Sequence, residues 1–364
     1  MQIGILEWVC GGGLQATPTA EIAKSLLTEG WAMLNAVAQD FGRCGHDVIA
    51  NIDARFFDGP QLSGFKSGFR RSSKSGFTKG LPSGWWEIAS QADAVIVIAP
   101  EFSRVLQTAI LQLAPACKLL LNCQGEFLTA SCDKWITAQR LQASDVLHPA
   151  TQLACAATED WLNQNATASR RWILKPRDGA GCEAIQLHHE STLREALETT
   201  RAKDSNSGMI LQPFHSGAAF SRSAIIDTSG RAHWLPLVTQ EFLAGDALTY
   251  TGGRVLVESD LQYADLRAGA QFSIAKLDAV LKATIEALGQ GACGWVGVDL
   301  LYSDELDDWM VIEVNPRLTT SFTGLSMSYG PGLMQHMLQA GQGLEVAIGT
   351  TWKAISFNAA GGLL

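Results

Sequence analysis

Three stretches of the chain carry residue types that could do chemistry together. The first is VIEVNPRLTTS, from Val311 to Ser321. Strand side chains alternate between faces, so Ile312 and Val314 are expected on one side and Glu313 and Asn315 on the other, with Arg317 a step beyond. A bare buried carboxylate is costly, so Glu313 needs a cation as partner, either a side chain or a metal. Just upstream, GVDLLY is expected to pair with VIEVNP across an acidic turn, which sets Asp299 beside Glu313 and Asn315. Two carboxylates that close repel unless a cation lies between them. An all-oxygen set with an amide suits hard Mg2+, which keeps positions open for phosphate oxygens. The same residues could instead form a hydrogen-bonded core network with Arg317.

The second stretch is ILKPRDGAG. Lys175 ends an apolar strand and Pro176 stiffens the exit, so the ammonium is held at the mouth of a loop whose glycines let backbone N–H groups approach an anion. The pattern is not G-x-x-x-x-G-K-[ST], and a glycine hairpin after an amphipathic strand would look the same. The third stretch is EWVCGGGLQA, in which Gly11, Gly13 and Ala16 satisfy G-x-G-x-x-A after a first strand. That is a dinucleotide fingerprint, whose acidic partner is expected about 20 residues on. Asp53 occupies the end of the second strand but lies 40 residues after Gly13. A nicotinamide-dependent oxidoreductase is therefore one reading, and a tight strand-to-helix turn is the other.

The elements that must position these residues are legible in the periodicity. QIGILEW reads as a strand, and a helix follows from about Thr19 to Phe41 with Ile22, Leu26, Leu27, Leu34 and Val37 on its apolar side. HDVIANID, DAVIVIAP and KLLLN are further strands, the last two of the kind buried on both faces of a parallel sheet. Residues 1–122 are thus expected to form a doubly wound α/β domain. Within it, residues 59–84 carry SGF three times and basic residues without acidic ones, which favours a mobile loop, either a solvated insertion or a basic flap over an anionic substrate. Beyond residue 122 the pattern changes. Asp133 could cap the helix CDKWITAQRLQ, Thr192 and Glu195 stand at capping-box spacing, and AFSRSAIIDTSGRAHWLPLV reads as a hairpin.

Composition narrows the class. At 364 residues with 47% apolar content, the chain is long enough for two or three subdomains. A net charge of −9 argues against an extended nucleic-acid or anionic-membrane surface. The eight cysteines show no C-x-x-C pair and no zinc spacing, as expected of buried thiols in a reducing compartment. No apolar run approaches the roughly 18 residues of a membrane span, and the first residues read as a strand and not a leader. A soluble cytoplasmic protein is expected.

Taken in order, DK at 133–134, LKPRDGAG at 174–181, LQPF at 211–214, Asp299, and EVNPR at 313–317 resemble the ATP-grasp superfamily, and within it the carboxylate-amine ligases. The resemblance implies a doubly wound domain at residues 1–122, a lid subdomain at 123–213 and a C-terminal subdomain at 214–364 that together clasp ATP. It implies that Lys134, Lys175 and the loop around Gly179 and Gly181 hold the phosphates, and that Gln212 and Phe214 line the adenine slot. Asp299, Glu313 and Asn315 would hold Mg2+, or Mn2+ in its place, and Arg317 would face the reacting acyl group. The family often has acidic residues where Gln212 and Ala219 stand. The partners implied are a small-molecule acid and an amine, with a homodimer compatible with the pattern. A regulatory protein that kept the clasp but lost turnover is the remaining alternative.

Overall fold

The computed structural model describes residues 1–56, 69–72, 76–179, 184–203, 208–244, 248–257 and 274–364. Its first layer is a parallel sheet of β1 (Gln2–Glu7), β2 (Asp47–Asn51), β3 (Phe69–Ser72) and β6 (Ala94–Ile98), in the order β3-β2-β1-β6. β6 is buried along its whole length, as a parallel strand covered on both faces should be. Three helices, α1 (Lys24–Arg43), α2 (Ser83–Gln91) and α3 (Val105–Leu113), accompany the sheet. KLLLN proves to be less than a strand: it makes a single parallel bridge, Val95 to Leu120, at the sheet edge. The basic segment also differs from a plain loop. It supplies β3, and the short strands β4 (Phe77–Thr78) and β5 (Leu81–Pro82) pair before α2 begins, while the remainder of it lies outside the described residues.

α1 begins at Lys24, after a 3-10 turn at Thr19–Glu21, and not at Thr19. Its N-cap, Ala23, offers no side-chain acceptor. Leu34, Val37 and Phe41 are buried beneath it, and the helix also packs against α9 (Ser321–Tyr329) and α10 (Leu333–Gly341) near the end of the chain. One core therefore runs from Ile3 and Ile5 through Phe322 to Trp295 and Phe357. The first domain is docked by apolar packing onto the last.

Between them sits a small antiparallel sheet, in the order β7 (Gln152–Leu153), β10 (Met209–Pro213), β8 (Arg171–Pro176) and β9 (Gln186–His189). α7 (Glu190–Lys203) covers it over a separate core that includes Trp172, Leu174, Leu193 and Leu211. α7 starts before Thr192, whose hydroxyl donates to His189 O at 3.1 Å. Thr192 therefore lies inside the first turn and is not the cap of the expected box. The largest sheet is antiparallel and seven-stranded: β13 (Glu241–Ala244), β14 (Leu248–Val255), β12 (Ala232–Thr239), β11 (Gly217–Ile226), β15 (Gly294–Ser303) and β16 (Asp308–Asn315) in that order, with β17 (Ile355–Asn358) also pairing β14. The expected hairpin is β11 with β12, and β15 pairs β16 across the acidic turn.

The register of β15 with β16 breaks at one point. Asp299 faces Glu313, but Leu300 faces Val311, so Ile312 is an extra residue on β16. Such a bulge locally re-aims side chains. Ile312 consequently lines the cleft with Glu313 and Asn315, whereas the expected alternation grouped it with Val314, which is buried. Among the described residues no helix is long and apolar enough to cross a membrane.

Candidate active site

A cavity of about 230 Å³ opens between the small sheet and the seven-stranded sheet. The small sheet contributes Ile173 and Lys175, which alternate with the core residues Trp172 and Leu174 along β8, together with Gly179 and Ile185 beyond it. Lys175 is buried, at 4% exposure, so its ammonium reaches the cavity from within the wall. Opposite stand Asp299 on β15 and Ile312, Glu313 and Asn315 on β16, followed by Arg317 and Thr319–Ser321. α1 reaches over with Glu29. Ile173, Ile185, Ile312, Pro176, Phe242 and Tyr250 make much of the wall apolar, while charged and neutral polar side chains make up the rest.

Lys134 is the first residue of α5 (Lys134–Ala143) and is held by local chemistry. Asp133 caps that helix through Trp135 N at 2.9 Å and also binds Arg177 Nη2 at 2.5 Å, while Lys134 N donates to Arg177 O. The helix start is thereby tied to the end of β8. Lys134 Nζ donates to Gly179 O and lies 3.1 Å from Glu313 Oε1. One ammonium thus joins the glycine loop of the small sheet to the carboxylate wall.

The carboxylates themselves are arranged by strand pairing. Asp299 accepts from Gln240 Nε2 at 2.9 Å and Asn315 Nδ2 at 3.0 Å. Burial, and then the charge of Glu313, push the Asp299 carboxyl up to about 6. The amide donors oppose the rise but do not cancel it. Asn315 spends its N–H on Asp299, which leaves its carbonyl oxygen as a further acceptor beside the two carboxylates.

Arg317 is not an open guanidinium. Its Nε and Nη2 grip Glu101 at 2.8 and 2.9 Å, a bidentate pair that reaches from the last sheet to the end of β6 in the first domain, and Nη1 donates to Leu318 O at 3.2 Å. Burial alone would lower the Arg317 pKa, but the charges of Glu101, Glu313 and Glu29 outweigh it and hold the cation.

Of the expected site residues, the structure brings Lys134, Lys175, Gly179, Asp299, Glu313, Asn315 and Arg317 around one cavity. Gly181 lies outside the described residues. Gln212 and Phe214 do not line the main cavity among the described residues. Gln212 is buried, donates to Thr151 Oγ1 at 2.8 Å and lines a smaller adjoining cavity behind Glu313. Phe214 has Arg171 stacked at 3.9 Å over its ring and is not among the described lining residues. Gln212 pairs with Ile173 across β10 and β8, and Phe214 N continues that ladder by donating to Arg171 O at 2.8 Å. Sequence reading missed Glu29, Glu101 and Gln240, which lie far from the recognisable motifs and reach the site only through tertiary packing.

The glycine turn after β1 resolves the dinucleotide alternative. A Cβ on Gly11 would meet Glu7 O at 2.0 Å and one on Gly13 would meet the Trp8 ring at 2.1 Å, so these glycines are required by close packing. α1 starts only at Lys24, and Asp53 is paired with Arg55 at 2.7 Å. The fingerprint needs a helix N-terminus at the turn and an acidic group for the ribose, and this geometry provides neither.

Residues 131–321 match the family model of the ATP-grasp domain, and residues 78–126 match that of the pre ATP-grasp 3 domain. The chain belongs to the ATP-grasp family, an ATP-dependent ligase by class, with an N-terminal pre-ATP-grasp domain. It is 22% identical over 271 residues to a tyramine–L-glutamate ligase of Methanocaldococcus fervens, an alignment covering 73% of this chain and 72% of the relative. Its fold is similar to that of an ATP-grasp superfamily protein from Archaeoglobus fulgidus, with a TM-score of 0.65 at 20% identity, covering 98% of this chain and 92% of the other. It is also similar to a D-alanine–D-alanine ligase from Bacillus anthracis complexed with ATP, with a TM-score of 0.59 at 13% identity over 94% and 97% of the two chains.

Proposed function

We propose that the protein is an ADP-forming carboxylate-amine ligase that activates its acid as an acyl phosphate. The observation that carries this reading is the cavity in which Lys134 and Lys175 face Asp299, Glu313 and Asn315, with Arg317 beside them. In this reading residues 1–122 are the pre-ATP-grasp domain, 123–213 the lid and 214–364 the catalytic subdomain. The relative named above makes glutamate and tyramine the first acid and amine to try. Soluble, cytoplasmic action on these small molecules, without nucleic acid or membrane, completes the proposal.

The donor set fits a divalent cation. Asp299 and Glu313 are direct strand neighbours, and the Asp299 carboxyl is raised first by burial and then by the Glu313 charge, both of which a bound cation would offset. With the Asn315 carbonyl as a third oxygen donor, Asp299 and Glu313 would hold Mg2+ with positions left for phosphate oxygens. Bound there, Mg2+ would supply charge neutralisation for the transferring phosphoryl group.

The chain's own residues would do the rest. Lys175 and Lys134 would bind the phosphates, with the Gly179 segment drawn in by Lys134. A carboxylate does not react with an amine until its oxygen becomes a leaving group, and transfer of the γ-phosphoryl group makes it one. Arg317, oriented by Glu101, would stabilise the developing oxyanion through an N–H not used in the Glu101 pair. The apolar part of the wall, with Ile173, Ile185 and Ile312, would help keep water from the activated acid.

The test uses acid labelled with 18O in its carboxylate, together with ATP, Mg2+ and amine. One labelled oxygen is expected in inorganic phosphate, because that oxygen leaves with the γ-phosphorus. Label in AMP would point to an acyl adenylate and overturn the mechanism. ATP binding without ADP release for any acid and amine pairing would favour a regulatory protein.

A further inference from the structure

One carboxylate in the cleft is left unexplained by the phosphate and metal assignments. Glu29 projects from α1 into the same cavity as Arg317. Among the described residues it accepts one hydrogen bond, from Thr320 Oγ1 to Oε2 at 3.2 Å. Two nearby cations are committed elsewhere: Arg317 grips Glu101 in a fork, and Lys134 lies against Glu313. Burial raises the Glu29 carboxyl above its ordinary range, while the Thr320 hydroxyl and the Arg317 charge pull it back. A half-buried carboxylate facing a ligand cavity with only a hydroxyl donor is short of a cation.

Position says which ligand could supply one. Lys175 and the Gly179 segment mark the phosphate end of the cavity, and Glu29 meets the residues just past Arg317, where the acyl group and its attacking amine would lie. We propose that Glu29 and Thr320 form an ammonium-binding subsite at the acyl end of the cleft, so that at least one of the two substrates enters as an organic cation. The inference rests on the ligase reading and deepens it. Thr320 donates its proton to Glu29, so its oxygen lone pairs remain to accept from an ammonium N–H. The cation can come from two sources: the amine substrate in its protonated form, or the α-amino group of an amino-acid substrate.

The experiment separates these sources with hydroxylamine, a nucleophile that is uncharged at neutral pH and traps an activated acid as its hydroxamate. KM for glutamate is measured with hydroxylamine, and KM for tyramine is measured with saturating glutamate, in wild type, Glu29→Gln and Glu29→Asp. Loss of one charged hydrogen bond predicts a rise of roughly 10- to 150-fold in the KM of the cationic substrate for Glu29→Gln, with KM for ATP unchanged. A rise for tyramine alone, with the hydroxylamine reaction intact, assigns the ammonium to the amine. A rise for glutamate in the hydroxylamine reaction, absent when glutarate replaces glutamate, assigns it to the acid.

Equal KM values in wild type and Glu29→Gln for both substrates would overturn the subsite, as would an equal loss with hydroxylamine and glutarate, which carry no ammonium. If neither glutamate nor tyramine supports turnover, the same pair of comparisons is made with the acid and amine that do. A wild-type enzyme that releases ADP only with uncharged substrates refutes the subsite. One that releases no ADP with any acid and hydroxylamine refutes the ligase reading itself. Should Glu29→Gln fail to fold, Glu29→Asp decides: its shorter side chain should raise the same KM by a smaller factor and leave the other untouched.

Discussion

Glu313 and Lys134 lie 3.1 Å apart, a pair that joins the two walls of the cleft. Glu313→Gln keeps the shape but removes one negative charge, so Mg2+-dependent ADP release should be abolished while the thermal midpoint stays near the wild-type value. A collapsed midpoint would instead assign Glu313 to a core network. Glu7 gives a different kind of test, because it is buried at the end of β1, where it accepts backbone N–H groups from Val9 at 3.1 Å and Cys10 at 2.5 Å and is also bonded by the Cys10 side chain. Burial wins over those bonds and raises its carboxyl from 4.5 to about 7. An acid raised in the folded state binds its proton more tightly there than when unfolded, so the native state is favoured at low pH and loses that advantage as pH rises from the unfolded value through about 7. The shift corresponds to about 3 kcal/mol. Denaturation followed from pH 5 to pH 8 should therefore show a fall in stability that Glu7→Gln flattens; parallel curves for the two proteins would contradict the assignment.

Elements were legible where apolar residues run together or recur with a regular period. β1, β6, β8 and β15 announce themselves by their apolar runs, and Lys175, Asp299, Glu313 and Asn315 could be placed because each breaks such a run with a charge or an amide. What could not be read is what depends on register and on distant packing. The bulge that turns Ile312 into the cleft leaves no local mark, and the motif at Gln212 and Phe214 does not say which cavity each side chain meets. The cap at Asp133 was legible, but its second role was not. By binding Arg177 as well as the first turn of α5, Asp133 fixes the helix that carries Lys134 to the strand that carries Lys175. Asp133→Ala should cost about 1 kcal/mol of stability from the lost cap and, beyond that, raise KM for ATP; calorimetric titration with ATP would check it. Lys175→Ala should weaken ATP binding more, by roughly 10- to 150-fold, since it removes the phosphate contact itself. Unchanged affinity by the same titration would remove Lys175 from the nucleotide site.

At the scale of the whole molecule, two of the contacts between the first domain and the C-terminal part differ in kind. The apolar contact between α1, α9 and α10 is extensive and non-directional, so it holds the domains together without fixing an atom of the site. The Glu101 to Arg317 fork is directional: it sets the plane of the guanidinium within the cleft and connects β6 to the residue just after β16. A buried pair of this sort is weak evidence for net stability, because desolvation of both ions offsets their attraction, yet removing one partner strands the other at a cost of about 3 to 5 kcal/mol. Glu101→Gln is the informative change, since the amide keeps one acceptor for Arg317 and drops the charge. If the pair serves orientation, kcat should fall by roughly 10- to 1000-fold, as loss of a positioned oxyanion donor does, with ATP affinity nearly unchanged. In a double-mutant cycle with Arg317→Lys, the second change should then add little to the loss already caused by the first, because both act through one guanidinium. Additive losses in kcat, or a Glu101→Gln protein with full turnover and a lowered thermal midpoint, would show that the fork only joins the domains and leaves the chemistry to other groups.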